Sequence, residues 1–231
     1  MTVLAPLHFD DAREAAALAA FLTRLVHYDR AAAVRLQAGG GALAVFGRPP
    51  SFEVLAIRTA RLVDAVDLDV TVSAGELLDG IEESAGKAVV PDSVTGPPWA
   101  GVLPPRAGWQ PVGGLPRAAE MRGAVAAAVA EFRARDEELP EERRTRAERD
   151  RIGREIWSRT LGPTGLPLRA VHAAQSLGFL PPAGTPAAEV PVGGADVPVA
   201  LFASGPWLRL RTPYGSIALR TAPMALSVTP H

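Results

Sequence analysis

The sequence predicts an α+β fold: an antiparallel sheet built from two similar three-stranded meanders, covered by helices, with a helical segment between them. Two stretches near opposite ends of the chain alternate apolar and polar residues with strand periodicity, and turns containing Gly or Pro interrupt both. Apolar residues before and between them recur with helical periodicity. The two alternating stretches also match each other residue by residue.

Residues 10–29 read as a helix. Leu18, Phe21, Leu22, Leu25 and Val26 share one face, and Asp11 and Glu14 have the spacing of a capping box with Asp as N-cap. Strands are expected over 32–38, ending in Gly39-Gly40-Gly41, over 42–47, ending in Arg48-Pro49-Pro50-Ser51, and over 52–63. A fourth strand over 68–72 and a short helix over 74–83 follow. Residues 91–116 hold seven prolines, five glycines, Trp99 and Trp109, which suggests a linker whose tryptophans pack onto a neighbouring unit. A polyproline recognition segment is the alternative.

Residues 117–139 carry the helical stripe Met121, Val125, Val129 and Phe132, and Pro140 suits the first position of a further helix to residue 160. Between Glu131 and Arg159 stand nine acids and nine arginines, expected to form a solvated helical face laced with i, i+4 pairs. A partner-helix site is the other reading of that run. Ile152, Ile156 and Trp157 anchor its second half. A helix over 168–177 stops at Gly178. Residues 181–198 read as a loose connection rich in Pro, Ala and Gly, and strands return over 199–203, 207–212 and 216–222. The expected division is therefore 1–90 (helix plus meander), 91–116 (linker), 117–180 (helical segment), 181–198 (connection) and 199–231 (second meander).

The duplication rests on named positions. Val34, Leu36, Ala38, Gly40 and Leu43 match Val199, Leu201, Ala203, Gly205 and Leu208 without a gap. Third strands ending Arg58-Thr59-Ala60 and Arg220-Thr221-Ala222 match as well. Alternation then assigns faces, because neighbouring side chains on a strand point to opposite sides. Leu36, Leu43, Val45, Leu55 and Ile57 fall on one side, as do Leu201, Leu208, Leu210, Ile217 and Leu219, and helices must cover that side. The other side carries Arg35, Arg58, Arg209, Arg211 and Arg220, with Phe46 and Trp207 among them.

An Arg- and aromatic-bearing sheet face can dock an acidic or extended partner, or stack bases while arginines hold phosphates. It can also be the ordinary water-facing side of an antiparallel sheet. Lys87 is the only lysine against 23 arginines, which suggests the coding bias of a GC-rich genome and weakens any single arginine as a signal of bidentate recognition. The formal net charge of −1 gives no bulk attraction to nucleic acid or to an anionic membrane.

Catalytic and metal chemistry leave little trace. Cysteine is absent, which excludes disulfides, thiolate metal sites and Cys nucleophiles. His8, His27, His172 and His231 do not form a His-Glu-x-x-His arrangement, and no Gly-x-Ser-x-Gly elbow occurs. The run Gly39–Gly41 lacks the lysine and following helix of a phosphate loop and reads as a hairpin turn. No catalytic residue, metal site or cofactor is therefore assigned, and the reading leans against an enzyme. The start shows no signal-peptide pattern, and no apolar run of about 18 residues occurs, so the expected location is the cytoplasm, without a membrane partner.

The run from Arg24 to Ile81, ending Val72-Ser-Ala-Gly-Glu-Leu-Leu-Asp-Gly-Ile81, resembles the first half of type VII secretion-associated chaperones. That resemblance covers about a quarter of the chain. It implies a non-catalytic binding protein built from two related halves. The charged helical middle departs from that family's pattern, and no residue roles are carried over.

The sequence therefore points to a non-catalytic adaptor, chaperone or regulatory protein. Its expected partner is another protein, bound through Arg35, Arg58, Trp207, Arg209, Arg211 and Arg220 or through the charged helices. A homo-oligomer is compatible with this. One alternative is nucleic-acid binding by the basic sheet face or by a winged-helix-like C-terminal half. In the latter, residues 207–220 would form the wing and Arg169, Gln175, Arg209 and Arg211 would meet DNA. The other alternative is an enzyme whose site is not recognisable.

Overall fold

The computed structural model describes residues 6–94, 103–180 and 199–221. Its elements run β1 (Leu7–His8), α1 (Ala12–Tyr28), β2 (Ala33–Gly39), β3 (Ala42–Gly47), β4 (Leu55–Arg61), β5 (Leu68–Ser73), α2 (Ala74–Asp79), β6 (Ile81–Glu82), β7 (Lys87–Ala88), β8 (Gln110–Val112), α3 (Ala118–Glu137), α4 (Arg146–Trp157), α5 (Leu168–Ser176), β9 (Ala200–Ser204), β10 (Trp207–Thr212) and β11 (Gly215–Arg220). Short 3₁₀ turns occur at Glu83–Ala85, Glu141–Arg143 and Gly162–Thr164. The expected connection over 181–198, together with Trp99 and His231, lies outside the described residues.

The architecture departs from the expected one. The strands form an eight-stranded antiparallel sheet, ordered β5-β2-β3-β4-β11-β10-β9-β8, and a separate three-stranded sheet, β1-β7-β6, not two similar three-stranded meanders. A three-stranded unit leaves two open edges of unpaired N–H and C=O groups. Here β5 covers the outer edge of β2, β8 covers that of β9, and β4 pairs directly with β11 through Leu55↔Ala218, Ala56↔Ile217 and Ile57↔Ser216. Sequence periodicity gives no sign of this last seam, because it joins residues far apart in the chain.

Helices cover one face of the large sheet. Helix α1 starts at Asp11, whose carboxylate accepts the Arg13 N–H at 2.7 Å, and it buries Ala15, Leu18, Phe21, Leu22 and Leu25. These meet Val34, Leu36, Leu43 and Val45, while Ile152, Ile156, Ala170 and Val171 of α4 and α5 join the same core beside Leu201, Leu210 and Ile217. The helix approaches β3 so closely that a Cβ at Gly47 would stand 2.8 Å from Leu25 Cδ2 and 3.1 Å from Phe21 Cζ. Glu14 does not act as the expected second half of a capping box; it turns inward to Arg58.

Strand β4 reverses the expected facing. Its register sets Ala60 opposite Leu43 and Arg58 opposite Val45, so Ala56, Arg58 and Ala60 point to the helix side. Leu55 and Ile57 lie on the other face, in a second cluster with Phe46, Trp207 and Ala218. Small residues under α1 let helix and strand approach, and the larger aliphatics fill a core of their own.

The charged run is shorter in helix than expected; the expected i, i+4 pairs are present, as in Arg135–Glu131, Arg146–Asp150, Arg151–Glu155 and Arg159–Glu155 at 3.5–3.8 Å, but shorter pairs are added to them. A 3₁₀ turn follows Pro140, and α4 begins only after Thr145, whose hydroxyl accepts the Glu148 N–H at 3.3 Å. Its best pairs join two helices rather than successive turns of one. Arg135 of α3 makes twin 2.8 Å bonds to Glu155 of α4, Arg159 holds Glu131 at 2.6 and 2.7 Å, and Arg149 reaches Asp136 at 2.7 Å. Among the described residues, no helix is long and apolar enough to cross a membrane.

Candidate functional site

The face of the large sheet away from the helices carries the arginine and aromatic side chains that the sequence singles out, except Arg58; Trp207 and Phe46 lie on it but are buried in a core cluster under Leu103 and Trp109 rather than open to water. Arg58 is on the helix side. Its guanidinium donates to Glu14 Oε2 at 3.1 Å and to the Tyr214 carbonyl at 2.8 Å, and its side chain is only 11% exposed. Burial pushes the Glu14 carboxyl above its ordinary range, against the pull of Arg58 and Arg61, and burial lowers Arg58 in turn. Both shifts state one fact, that this pair is poorly hydrated. Arg58 therefore belongs to the core and not to the exposed face.

Arg35 is on the expected face. Its Nε and Nη2 donate to the two oxygens of Asp69 at 2.7 and 2.9 Å, and Gln37 adds a bond to the same carboxylate at 3.1 Å. The hydrogen bond from Arg35 is the main reason the Asp69 carboxyl is held below its usual range. A carboxylate from the neighbouring strand thus already answers the Arg35 charge.

The three remaining arginines differ from Arg35. Arg209 and Arg211 on β10 and Arg220 on β11 share this face, and each guanidinium lies over a ring. Arg209 is 5.8 Å from the centroid of Trp109, Arg211 is 4.9 Å from that of Phe202, and Arg220 is 6.0 Å from that of Trp207. Among the described residues none of the three has a carboxylate within 4 Å, and the Arg209 Nε is buried without a hydrogen-bond partner. Burial, with the like charge of Arg211, pushes Arg209 below the usual arginine range. The rings supply an attractive face to each cation without neutralising it.

The proline-rich segment completes the site. Trp109 packs with Leu103 against Phe46, Leu55, Ile57 and Trp207, and its indole N–H donates to the Pro105 carbonyl at 2.9 Å. That bond holds residues 103–106 beside the sheet and encloses a groove of about 440 Å³. Gln37 and Thr59 line it from the strands, Leu103 and Arg106 from the segment, and Arg209 from β10. The lining combines the apolar side chains of Phe46, Ile57 and Leu103 with the Gln37 amide, the Thr59 hydroxyl and the guanidinium groups of Arg106 and Arg209. It can hold an extended chain bearing carboxylates. Among the described residues no group of three or more His, Asp or Glu could hold a metal ion.

The face was legible from alternation, but the groove was not. The repeated Pro-Pro-x-Ala-Gly spacing at 97–101 and 104–108, followed by Trp109, was the available signal. Nothing local shows that this segment lies on the sheet. The winged-helix alternative loses its wing, because β10 and β11 are interior strands flanked by β9 and β4.

Comparison with known proteins adds an outline. Residues 3–101 match the family model described as Domain of unknown function (DUF8010), and residues 104–224 match that described as Domain of unknown function (DUF8185). No curated protein and no solved structure matches the chain. The groove draws on both matched stretches: Gln37, Phe46 and Ile57 come from the first, Arg106 and Arg209 from the second.

Proposed function

We propose a role for this chain on one premise: it belongs to the family described as Domain of unknown function (DUF8185), a description that names no reaction, ligand or partner. The chain acts as a non-catalytic adaptor, chaperone or regulatory protein of the cytoplasm. It binds an extended, acidic segment of another protein along this sheet face, in the groove at Arg209 and beyond it over Arg211 and Arg220, which share the face but do not line the groove. The observation that carries this reading is the set Arg209, Arg211 and Arg220, each held on an aromatic ring and none with a carboxylate within 4 Å among the described residues. Three such cations on one face repel one another, and carboxylates brought by a partner relieve that repulsion. The mixed apolar and polar lining of the groove suits a strand-like segment with alternating side chains. The missing cysteines and the lack of a long apolar helix among the described residues support the location.

Calorimetric titration tests this with an acetylated peptide alternating glutamate and valine, a lysine–valine peptide, and a single-stranded oligonucleotide of equal negative charge. The acidic peptide should bind saturably, more weakly as salt rises, and about tenfold more weakly to Arg209→Gln or the exposed Arg211→Gln, in line with charge-assisted hydrogen bonds of about 1.5–3 kcal/mol. The lysine peptide should not bind. Tighter binding of the oligonucleotide would favour the nucleic-acid reading instead, and no binding of the acidic peptide would end the proposal.

A further inference from the structure

A second cavity, of about 650 Å³, lies on the helix-covered side of the sheet, between α4, α5 and the turn that precedes β4. Four rings line it: Phe52, Phe132, Trp157 and His172. The rings of Trp157 and His172 stack with centroids 4.4 Å apart at 21°, and Phe52 meets His172 edge-on at 5.1 Å. Burial lowers the His172 pKa, so this imidazole is the neutral, flat ring at neutral pH.

Three further features mark the cavity. Phe52 stands between Ser51 at φ 69° and Glu53 at φ 52°, two non-glycine residues in the left-handed region that side chains disfavour. Gly153 sits inside α4 on the wall, where a Cβ would meet Phe132 and Trp157 at an ordinary 3.7 Å. Packing therefore does not demand glycine there, although glycine weakens a helix interior. Finally, three arginines, Arg149, Arg154 and Arg169, stand on the wall against two carboxylates, Glu53 and Asp150, and Asp150 lies 3.8 Å from Arg146. Arg154 has no carboxylate within 4 Å among the described residues. Arg169 has only the exposed Glu53, at 3.6 Å, and its Nε is buried without a hydrogen-bond partner. By contrast, Arg149 is held by Asp136 at 2.7 Å.

We infer that this cavity binds a small organic anion bearing a flat ring, with the ring against Trp157, His172 and Phe52 and the anionic group at Arg154 and Arg169. The volume lies within the range of small-ligand pockets, about 300–1,000 Å³. Stacking on aromatic faces and a guanidinium for the charge is how such anions are held. A phosphate or a carboxylate supplies the charge equally well. The site is separate from the sheet-face groove and stands or falls independently of it.

The test titrates the full chain with adenosine 5′-monophosphate and with 1-naphthoate, using adenosine and inorganic phosphate as half-ligands, and reads calorimetry and tryptophan fluorescence. At least one of the two anions should bind saturably, more tightly than either half-ligand. Arg154→Gln, which is exposed and leaves the fold intact, should weaken it about tenfold. Gly153→Leu raises helix propensity and fills the cavity, so it should abolish binding while the thermal midpoint holds or rises. A response to 1-naphthoate alone assigns a carboxylate ligand, and a response to the nucleotide alone assigns a phosphate. The inference is overturned if neither anion saturates, if inorganic phosphate binds as tightly as the nucleotide, or if Gly153→Leu binds like the parent chain.

Discussion

Removing the carboxylate of Glu14 would strand a guanidinium inside the molecule. Arg58 has only that carboxylate and the Tyr214 carbonyl to answer its charge, and both side chains of the pair are about nine-tenths buried. Glu14→Ala should therefore cost about 3–5 kcal/mol in urea unfolding, the usual penalty for breaking a buried pair from one side. The double variant Glu14→Leu with Arg58→Met should recover most of that loss, since well-packed apolar residues of similar size replace such pairs at little cost. A single variant as stable as the parent would show that the pair is hydrated after all. The pH dependence has a definite sign. The carboxyl of Glu14 titrates above its ordinary value in the folded chain, so the folded state holds its proton longer than the unfolded one. Its contribution to stability falls as pH rises from the ordinary glutamate range through the raised value, and Glu14→Gln should flatten that part of the profile. Nothing local in the sequence separates Arg58 from Arg220. Both sit in an Arg-Thr-Ala ending; the register of β4 on β3 turns Arg58 to the helix side, where the carboxylate 44 residues away meets it.

Elements were legible where their signals were local. The stop of α5 at Gly178 is one case. Gly178 at φ 72° donates to the Gln175 carbonyl at 3.0 Å while Phe179 donates to Ala174 at 2.7 Å, the paired bonds of a Schellman cap. Gly178→Ala should cost about 1–2 kcal/mol, because a Cβ disfavours the left-handed conformation and would stand 2.7 Å from Arg24 Cζ, so that this exposed side chain must also move aside. The same exchange at Gly123, exposed in the middle of α3 with nothing within 4 Å, should instead stabilise by about 0.5–1 kcal/mol. Thermal or urea unfolding of the two variants reads the opposite signs directly, and equal signs would mean that cap geometry does not govern. The charge run shows where local reading fails. Composition announces that arginines and acids pair, but it does not say that Arg135, Arg149 and Arg159 reach across from one helix to the next. In β4 the larger aliphatics were assigned inward, yet the face under α1 takes Ala56 and Ala60, because the helix lies too close for Leu55 or Ile57.

At the scale of the whole molecule, alternation located the seven longer strands, β2 to β5 and β9 to β11, and helical stripes located α1, α3, α4 and α5. Short strands of two or three residues, β1, β6, β7 and β8, carry no periodicity to read. The Arg and aromatic composition of the exposed face was visible in the sequence; the groove was not, since it needs residues 103–109 folded over strands from both halves. The seam between β4 and β11 was likewise hidden, although it fuses the halves into one ladder. Dividing the chain between residues 102 and 103 should therefore give two pieces that each self-associate when expressed alone, because β4 and β11 lose their partners. Mixed from the denatured state, they should assemble one to one, as size-exclusion chromatography would show. A soluble, cooperatively unfolding monomer of either piece would contradict the seam's importance.

The same seam sets a schedule for biosynthesis. Ile57 waits for Ser216, 159 positions later in the chain, before its strand gains a neighbour on that side. At the usual pace of translation, about 5–20 residues per second, the nascent first half stands with a raw flank for about ten to thirty seconds. Until then the edge is open to pairing with another chain, and slower elongation would lengthen the exposure in proportion.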